Sequence, residues 1–345
     1  MDTKIVSADE AGLTEAARLL LSGHLVAFPT ETVYGLGGLA SRIESIRAIF
    51  TAKDRPTTDP LILHLSDPSL EKALKEGWLA GPLPASAVAL AREFWPGPLT
   101  LILIRGPRTQ REMTAGLDTV AVRCPAHPAA QSLLRQVGEP LAAPSANLFG
   151  RISPTDAEAV RQELGGKIRL ILDGGPCSVG LESTVVNLVS PVPEILRPGA
   201  ITADQVAKVL GSAPDIQRAS SKKEKAQIAP GQLASHYAPR TPLYRSESPI
   251  RFFHPDFFHI LFRKSEDPIS QNAIVLTTDR NLESAARQLY RALRTADSSG
   301  CHTILVEPVP EGLWADAIHD RLTRASSGTA VWNGNAWKLL RGMNT

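Results

Sequence analysis

The stretch Pro29-Thr30-Glu31-Thr32-Val33-Tyr34-Gly35-Leu36-Gly37 follows the apolar run HLVAF over 24–28. Such a run is typical of a buried strand, and the stretch after it is predicted to be a loop, because it is rich in turn-forming residues. The hydroxyls of Thr30 and Thr32 can hydrogen-bond a polar ligand, and the glycines permit close backbone approach. Taken alone, the stretch is equally compatible with a tight strand-to-helix turn.

Helical and strand patterns alternate on both sides of this stretch. Amphipathic spacing predicts helices over 9–21 and 42–52, with a further helix before the segment FWPGPLTLILI. We expect the other elements to be strands over 61–65, 99–104, 119–123, 140–143, 169–172 and 183–188, and helices over about 127–137 and 155–164. Alternation of this kind predicts an α/β fold, in which ligands gather at strand ends.

The hydrophobic pattern stops over 212–239, where Lys, Ser and Pro dominate, so this segment is predicted to be a linker. Beyond it, strands over 258–262, 273–278 and 303–309 and helices over 281–295 and 312–325 predict a smaller α/β unit. That unit has no Gly-rich phosphate loop. We therefore expect a catalytic domain over 1–211, a linker or lid over 212–239, and a carboxy-terminal domain over 240–345.

Composition narrows the class of protein. The 345 residues are 43% hydrophobic and 21% charged, with a net charge of +2, so the sequence can form two cores and is not a strongly basic nucleic-acid binder. Its three cysteines are not closely spaced, which argues against a disulfide framework and against a zinc site. No leader pattern and no run of roughly 18 apolar residues occurs, so a cytoplasmic protein without membrane contact is expected.

Two cations one residue apart, Lys53 and Arg55, follow the second predicted helix. On a proline-containing loop they suit a polyphosphate, because arginine binds bidentately and lysine acts as a point charge. A basic loop is nevertheless commonly only a solvated surface. His64 lies inside the next strand, where a histidine is more often a satisfied core residue than a ligand.

Short polar side chains follow later strands. Ser145 and Asn147 can order phosphate oxygens, and Ser153 or Thr155 could do the same or could cap the next helix. A last group comprises a Gly-rich turn over 173–176, the pair Ser183-Thr184, and Arg197 before a Pro-Gly turn. Each signal is weak alone, but their recurrence at strand ends favours a ligand site.

Several separated segments together carry a family resemblance, and in chain order they are PTETVYGLG, KDRP, PLILH, FWPGPLTLIL, VAVRCPAHP, APSANLFGRISPT, STVV, LRPGAIT and PGQLASHYAPRTPL. With these segments the chain resembles the YrdC-type threonylcarbamoyl-AMP synthase family in its long, two-domain form. It implies a twisted, mostly open mixed α/β sheet around a deep basic concavity, followed by a smaller Rossmann-like domain.

The resemblance also implies roles for individual residues. Four residues match the family's catalytic K-x-R and S-x-N pairs, namely Lys53, Arg55, Ser145 and Asn147. These pairs would hold the ATP phosphates and Mg²⁺. Positions lining the L-threonine pocket are Thr32, His64, Arg123, Ala143 and Ser183. Further positions facing ATP are Asp59, Thr119, Ser153 and Arg197, with His236 and Tyr237 closing over the nucleotide from the linker. The metal would come with ATP rather than from protein ligands.

One position departs from the family pattern, because Asp59 stands where asparagine is common. A carboxylate beside phosphates is repulsive unless it meets magnesium or another cation. Cys124, next to Arg123, could suggest a reactive thiolate, but a buried strand-end cysteine is the better interpretation.

The implied reaction makes threonylcarbamoyl-AMP and pyrophosphate from L-threonine, bicarbonate or CO2, and ATP, for threonylcarbamoyl modification of a tRNA adenosine. The protein is expected to be a monomer. It would pass its product to a tRNA threonylcarbamoyl transferase, and it could contact tRNA. Two alternatives are a non-catalytic RNA-binding module and a carbamoyl transferase of the hydrogenase-maturation type. The lack of a set of aromatic stacking residues counts against the RNA-binding module. The lack of paired C-x-x-C motifs counts against the carbamoyl transferase.

Overall fold

The computed structural model describes residues 2–216, 236–263, 270–279 and 281–342, which separate into two units. Of these residues, the first unit contains 2–149 and 153–216. The second unit contains 150–152 and the described residues from 236 onward. The exact domain limits at 211 and 240 stay a prediction.

The first unit is built on a mixed sheet. Its strands, among the described residues, are β1 (Lys4–Ser7), β2 (Val26–Phe28), β3 (Gly35–Leu39), β4 (Ile62–His64), β5 (Leu99–Ile104), β6 (Thr119–Arg123), β7 (Leu141–Ala143), β8 (Leu170–Asp173), β9 (Thr184–Asn187), β10 (Glu194–Arg197) and β11 (Asp215–Ile216). Their order across the sheet is β1-β8-β2-β3-β7-β4-β6-β5-β9-β10-β11. The sheet contains both parallel pairs, such as β4 with β6, and antiparallel pairs, such as β4 with β7, which confirms the predicted mixed α/β sheet.

Helices cover this sheet. They are α1 (Glu10–Leu21), α2 (Ile43–Lys53), α3 (Leu70–Lys75), α4 (Ala85–Phe94), α5 (Pro128–Val137), α6 (Ala157–Leu164) and α7 (Ala203–Leu210). Alternate residues of β2 join different cores: Ala27 packs in one apolar cluster with Ile46, and Val26 and Phe28 pack in another with Leu133. The sheet is therefore buried on both faces, as expected when helices cross between parallel strands.

The glycine-rich segment after β2 is a strand, whereas the sequence predicted a loop. Strand β3 pairs antiparallel with β2 and with β7. A Cβ added at Gly37 would lie 2.9 Å from the Phe28 ring, so the glycines make room for that ring. Turn-forming composition misled the prediction here because close side-chain packing, and not a turn, requires the glycines.

Helix ends follow ordinary capping rules. Helix α6 begins after Asp156, whose side chain accepts a hydrogen bond from the Ala159 N–H, so neither Ser153 nor Thr155 is its cap. Helix α2 ends at Lys53, and Asp54 then adopts a left-handed conformation with φ of 52°. That turn directs the chain from Lys53 to Arg55.

The second unit is a smaller α/β sheet. Its described elements are β12 (Leu243–Ser246), β13 (Phe257–Leu261), β14 (Ala273–Val275), α8 (Leu282–Asp297), β15 (Thr303–Val306), α9 (Ala315–Ala325), β16 (Gly328–Trp332) and β17 (Trp337–Arg341). The order is β14-β13-β15-β12-β16-β17, and its neighbours are parallel except β16 with β17. A mainly parallel sheet with helices agrees with the predicted smaller α/β domain.

Most of the predicted linker, 217–235, lies outside the described residues. At its start, Asp215–Ile216 forms β11, a short strand that the sequence did not indicate. No helix of the described residues is long and apolar enough to cross a bilayer.

Candidate functional site

The loop after β7, which carries Ser145 and Asn147, is held by Lys53. The Lys53 ammonium donates to the backbone carbonyl oxygen of Ser145 at 2.6 Å and also to that of Asn147. The Lys53 carbonyl in turn accepts a hydrogen bond from the Phe149 N–H at 2.9 Å. Burial, with a smaller contribution from nearby Arg55, holds the pKa of Lys53 well below its usual value. The K-x-R and S-x-N pairs thus form one connected group.

Arg55 forms a buried ion pair with Asp59. Its Nη2 atom lies 2.9 Å from Asp59 Oδ1 and also donates to the Pro60 carbonyl at 2.8 Å. Burial raises the pKa of Asp59, while the positive charges of Arg55, Lys53 and Arg197 oppose that rise. The other carboxylate oxygen, Oδ2, is buried and accepts no hydrogen bond from the described residues. The carboxylate therefore lies among cations where phosphates are predicted to bind.

Three neighbouring strands bring the predicted threonine-site residues together. His64 at the end of β4 is in register with Arg123 at the end of β6, and Ala143 of β7 is in register with Ile62 on the other side of β4. The Arg123 Nη1 atom donates to the Thr32 hydroxyl at 2.8 Å. Sheet topology thus places His64 and Arg123 side by side, with Thr32 bonded to Arg123, while Ala143 lies opposite Ile62, two residues before His64 on β4.

His64 has a defined tautomer. Its Nδ1 atom lies 3.1 Å from the Ile62 carbonyl oxygen, which can only accept, so Nδ1 carries the proton. Burial, and then the charge of Arg123, lower the pKa of His64 to about 3. The ring is neutral at physiological pH, and its Nε2 atom is a hydrogen-bond acceptor.

The hydroxyls of Thr30 and Thr32 form a directed chain. The Thr30 hydroxyl donates its one proton to the Val33 carbonyl at 2.6 Å. The Thr32 hydroxyl lies 2.9 Å from that of Thr30 and can donate to it. Thr32 also accepts from Arg123, and its oxygen keeps a second lone pair for a ligand. Thr32 can therefore receive a hydrogen bond from an amine or a hydroxyl.

Ser183, Arg197 and Ser153 form a further group. Arg197 donates to the Ser183 carbonyl and to the Ser183 hydroxyl, both at 3.0 Å, and that hydroxyl lies 2.7 Å from that of Thr100. The Ser153 hydroxyl donates to Glu182, the residue before Ser183, at 2.5 Å. The sequence predicted Ser183 in the threonine pocket. In the structure its side chain contacts Arg197 and Thr100.

Three predicted residues remain, and only Thr119 among them belongs to the first unit. Thr119 begins β6, four residues before Arg123 and so about 13 Å along the strand, and it pairs with Ile104. His236 and Tyr237 belong to the second unit. The His236 N–H donates to the Arg324 carbonyl, and the Arg321 guanidinium lies 5.4 Å from the centre of the Tyr237 ring.

Sequence reasoning missed two buried carboxylates, Glu31 and Glu182. Glu31 lies inside the first motif, where a charged residue beside a buried strand could have drawn attention. Two other residues near these groups make structural contacts. The Tyr34 hydroxyl donates to the Gly175 carbonyl at 2.8 Å and so orders the Gly-rich turn after β8. Burial raises the pKa of Cys124 to about 11, which agrees with an unreactive thiol.

The fold and these groups define an α/β protein with a polar, partly cationic candidate site at strand ends. Residues 18–199 match the Sua5_yciO_yrdC family model, described as telomere recombination. Residues 201–327 match the model described as threonylcarbamoyl-AMP synthase, C-terminal domain. The chain therefore belongs to the two-domain threonylcarbamoyl-AMP synthase family, as the sequence motifs predicted.

Individual relatives agree over nearly the full length. The threonylcarbamoyl-AMP synthase of Bacillus subtilis is 40% identical, with 95% of this chain and 97% of that protein covered. The enzyme of the same name from Pyrococcus abyssi is 39% identical, over 90% of this chain and 93% of that protein. The structure of Pyrococcus abyssi Sua5 complexed with L-threonine has a TM-score of 0.86, at 37% identity, covering 96% of this chain and all (100%) of that one.

Proposed function

We propose that this chain joins L-threonine, bicarbonate or CO2, and ATP to form threonylcarbamoyl-AMP and pyrophosphate. Full-length similarity to proteins named threonylcarbamoyl-AMP synthase supports the activity. The similar Pyrococcus abyssi protein has been solved with L-threonine, which supports that amino acid as substrate. These similarities favour the synthase over the two alternatives, an RNA-binding module and a carbamoyl transferase.

The observation that carries the proposal is the set of groups around Arg123. Its guanidinium is buried and donates three hydrogen bonds to the protein, one from each nitrogen. The acceptors are Thr32, Glu31 and the Gly97 carbonyl. The other two of its five N–H groups suit the carboxylate of an amino acid. The acceptors His64 Nε2 and Thr32 Oγ1 suit the amine and hydroxyl of threonine. Ala143 and Ser183 complete the proposed pocket.

The proposed ATP site comprises the group around Lys53 and the group around Arg197. Positive charge there would neutralise the triphosphate, while Ser145, Asn147 and Ser153 would order its oxygens. Further proposed nucleotide contacts are Thr119, His236 and Tyr237.

Magnesium would arrive with ATP. No cluster of three or more His, Cys, Asp or Glu able to hold a metal occurs among the described residues. The proposed ion is bound mainly by phosphates, as Mg²⁺ commonly is. Asp59, a buried carboxylate among these cations, has an oxygen that accepts no hydrogen bond from the described residues and could face the ion. When bound, the ion would neutralise charge on the phosphates.

The proposed reaction has two steps. The amine of threonine attacks the carbon of CO2, loses a proton and becomes a carbamate. A carbamate oxygen then attacks the α-phosphorus of ATP, the bond to the bridging oxygen of the β-phosphate breaks, and pyrophosphate leaves. Such a transfer depends on position and charge neutralisation more than on a protein nucleophile.

The product is an activated acyl adenylate, and we propose that it is passed to a tRNA threonylcarbamoyl transferase in the cytoplasm. Contact with tRNA and a monomeric state are part of the same proposal. The test is pyrophosphate release by the full chain with ATP and magnesium. Release that requires both L-threonine and bicarbonate supports the synthase, and RNA binding without any release would support the binding module instead.

A further inference from the structure

Glu31 bridges Arg123 and the loop that follows it. Its Oε1 atom lies 2.5 Å from Arg123 Nη2, and its Oε2 atom accepts a hydrogen bond from the Ala126 N–H at 3.0 Å. Both side chains of the ion pair are almost fully buried, at 4% exposed for Arg123 and 8% for Glu31. The backbone of Glu31 is also fixed, because its carbonyl accepts from the Val179 N–H at 2.7 Å. The carboxylate is thus a rigid support.

We propose that Glu31 is a positioning residue, which orients the Arg123 guanidinium so that its remaining N–H groups meet the carboxylate of the amino-acid substrate. The inference rests on the proposed threonine site. Thr32 and the Gly97 carbonyl contact Nη1 and Nε, and Glu31 fixes Nη2, so all three nitrogens of the plane are constrained. Since two parallel bonds to a carboxylate require the right plane, a guanidinium free to rotate would lose much of its selectivity.

The hydrogen bonds of Glu31 require a carboxylate, because both of its side-chain oxygens must be acceptors. Each oxygen of Glu31 faces an N–H donor, one on Arg123 and one on Ala126. A glutamine of the same shape has only one acceptor oxygen, so its NH2 group must face one of these donors. Glu31→Gln is therefore a small change in volume that disrupts the support of Arg123.

The test compares binding of L-threonine with binding of L-threoninamide, which lacks the carboxylate, by titration calorimetry on the full chain. The parent should prefer threonine. In Glu31→Gln this preference should fall at least tenfold, mostly through weaker threonine binding, while ATP affinity changes less than twofold. Glu31→Asp keeps the charge but is too short to reach both donors, and should give an intermediate preference.

Glu307→Gln in the second unit is the matched control. Glu307 is also buried, pairs with Arg263 Nε at 2.9 Å, and accepts from the Phe262 N–H at 3.0 Å. This variant should lose thermal stability as Glu31→Gln does, but should keep the parent's preference for threonine. A general loss of stability is thereby separated from a loss of carboxylate recognition.

The outcomes separate this inference from the proposed site. If Arg123→Lys leaves the preference for threonine unchanged, the proposed site itself is wrong. If Arg123→Lys reduces the preference but neither Glu31 variant does, Arg123 binds the carboxylate without help and the positioning role is wrong. Tighter threonine binding by Glu31→Gln would also overturn it, because Glu31 would then be only a competing negative charge.

Discussion

The ammonium of Lys53, at the end of helix α2, donates a hydrogen bond of 2.6 Å to the backbone carbonyl oxygen of Ser145. This contact joins residues 92 positions apart and ties the basic loop to the loop after β7. A second bond to the Asn147 carbonyl strengthens the link. The two motifs proposed to hold the triphosphate therefore keep a fixed geometry relative to each other before any nucleotide binds.

Lys53→Met should weaken ATP binding roughly 10- to 100-fold, since it removes a charge-assisted contact and leaves two carbonyl oxygens without their donor. Arg55→Met should act in the same direction. Calorimetric titration with ATP measures the effect, and the exchange rate of the Phe149 amide should rise in Lys53→Met. Lys167→Met, which removes a solvent-exposed partner of Asp54, is the control and should bind ATP as the parent does. Unchanged ATP affinity in both site variants would reject the assignment.

Asp59→Asn should strengthen ATP binding when magnesium is absent. The substitution removes a buried negative charge from a cationic site and restores the amide common in the family. Charge repulsion of roughly 1 kcal/mol would give about a fivefold gain in affinity. Titration of both proteins with ATP in EDTA is the measurement. Weaker magnesium-free binding by the variant would mean that Asp59 acts mainly by holding Arg55.

His64 should make the folded protein sensitive to acid. The unfolded chain binds a proton at this side chain near pH 6.5, whereas the folded chain does so only near pH 3. Stability is therefore lost as the pH falls from 6.5 toward 3, by at most about 1.4 kcal/mol per pH unit from this group. Denaturant unfolding of the parent and of His64→Gln from pH 7 to pH 4 measures it. The variant should lose less stability than the parent, and equal slopes would contradict a buried neutral imidazole.

The double variant His236→Ala, Tyr237→Ala should lose most product formation while still binding L-threonine, if the proposed nucleotide role is correct. Both side chains are almost fully buried, so the melting temperature must be measured alongside. Arg321→Met removes the cation beside the Tyr237 ring. This variant tests whether the loss of that contact by itself reduces product formation. Adenylate formation by the double variant at the parent rate would reject a role for these residues in catalysis.

Much of the fold is predictable because its local signals agree. The amphipathic pattern of α2 ends at Lys53, one residue beyond the prediction, and the apolar run LTLILI is β5. Gly35 to Leu39 was mistaken for a loop because glycine marks both turns and close packing, and only the position of the Phe28 ring distinguishes them. β11 was missed because two residues are too few to show a period.

The residues of the site were predictable as types, but their contacts were not. Family motifs named Arg123 and Thr32, yet nothing in their spacing shows that Arg123 uses three nitrogens on protein partners. Glu31 was overlooked for the same reason, since its partner lies 92 positions later in the chain. Long-range partners of this kind depend on strand order, which a single sequence does not reveal.

The central claim is that the chain makes threonylcarbamoyl-AMP. The most direct test incubates the full chain with ATP, magnesium, L-threonine and ¹³C-labelled bicarbonate, and examines the nucleotide product by mass spectrometry. We expect an adenylate that contains threonine and carries the label in its carbamoyl carbon. An adenylate without the label, or no adenylate above that formed by Lys53→Met, would contradict the proposed function.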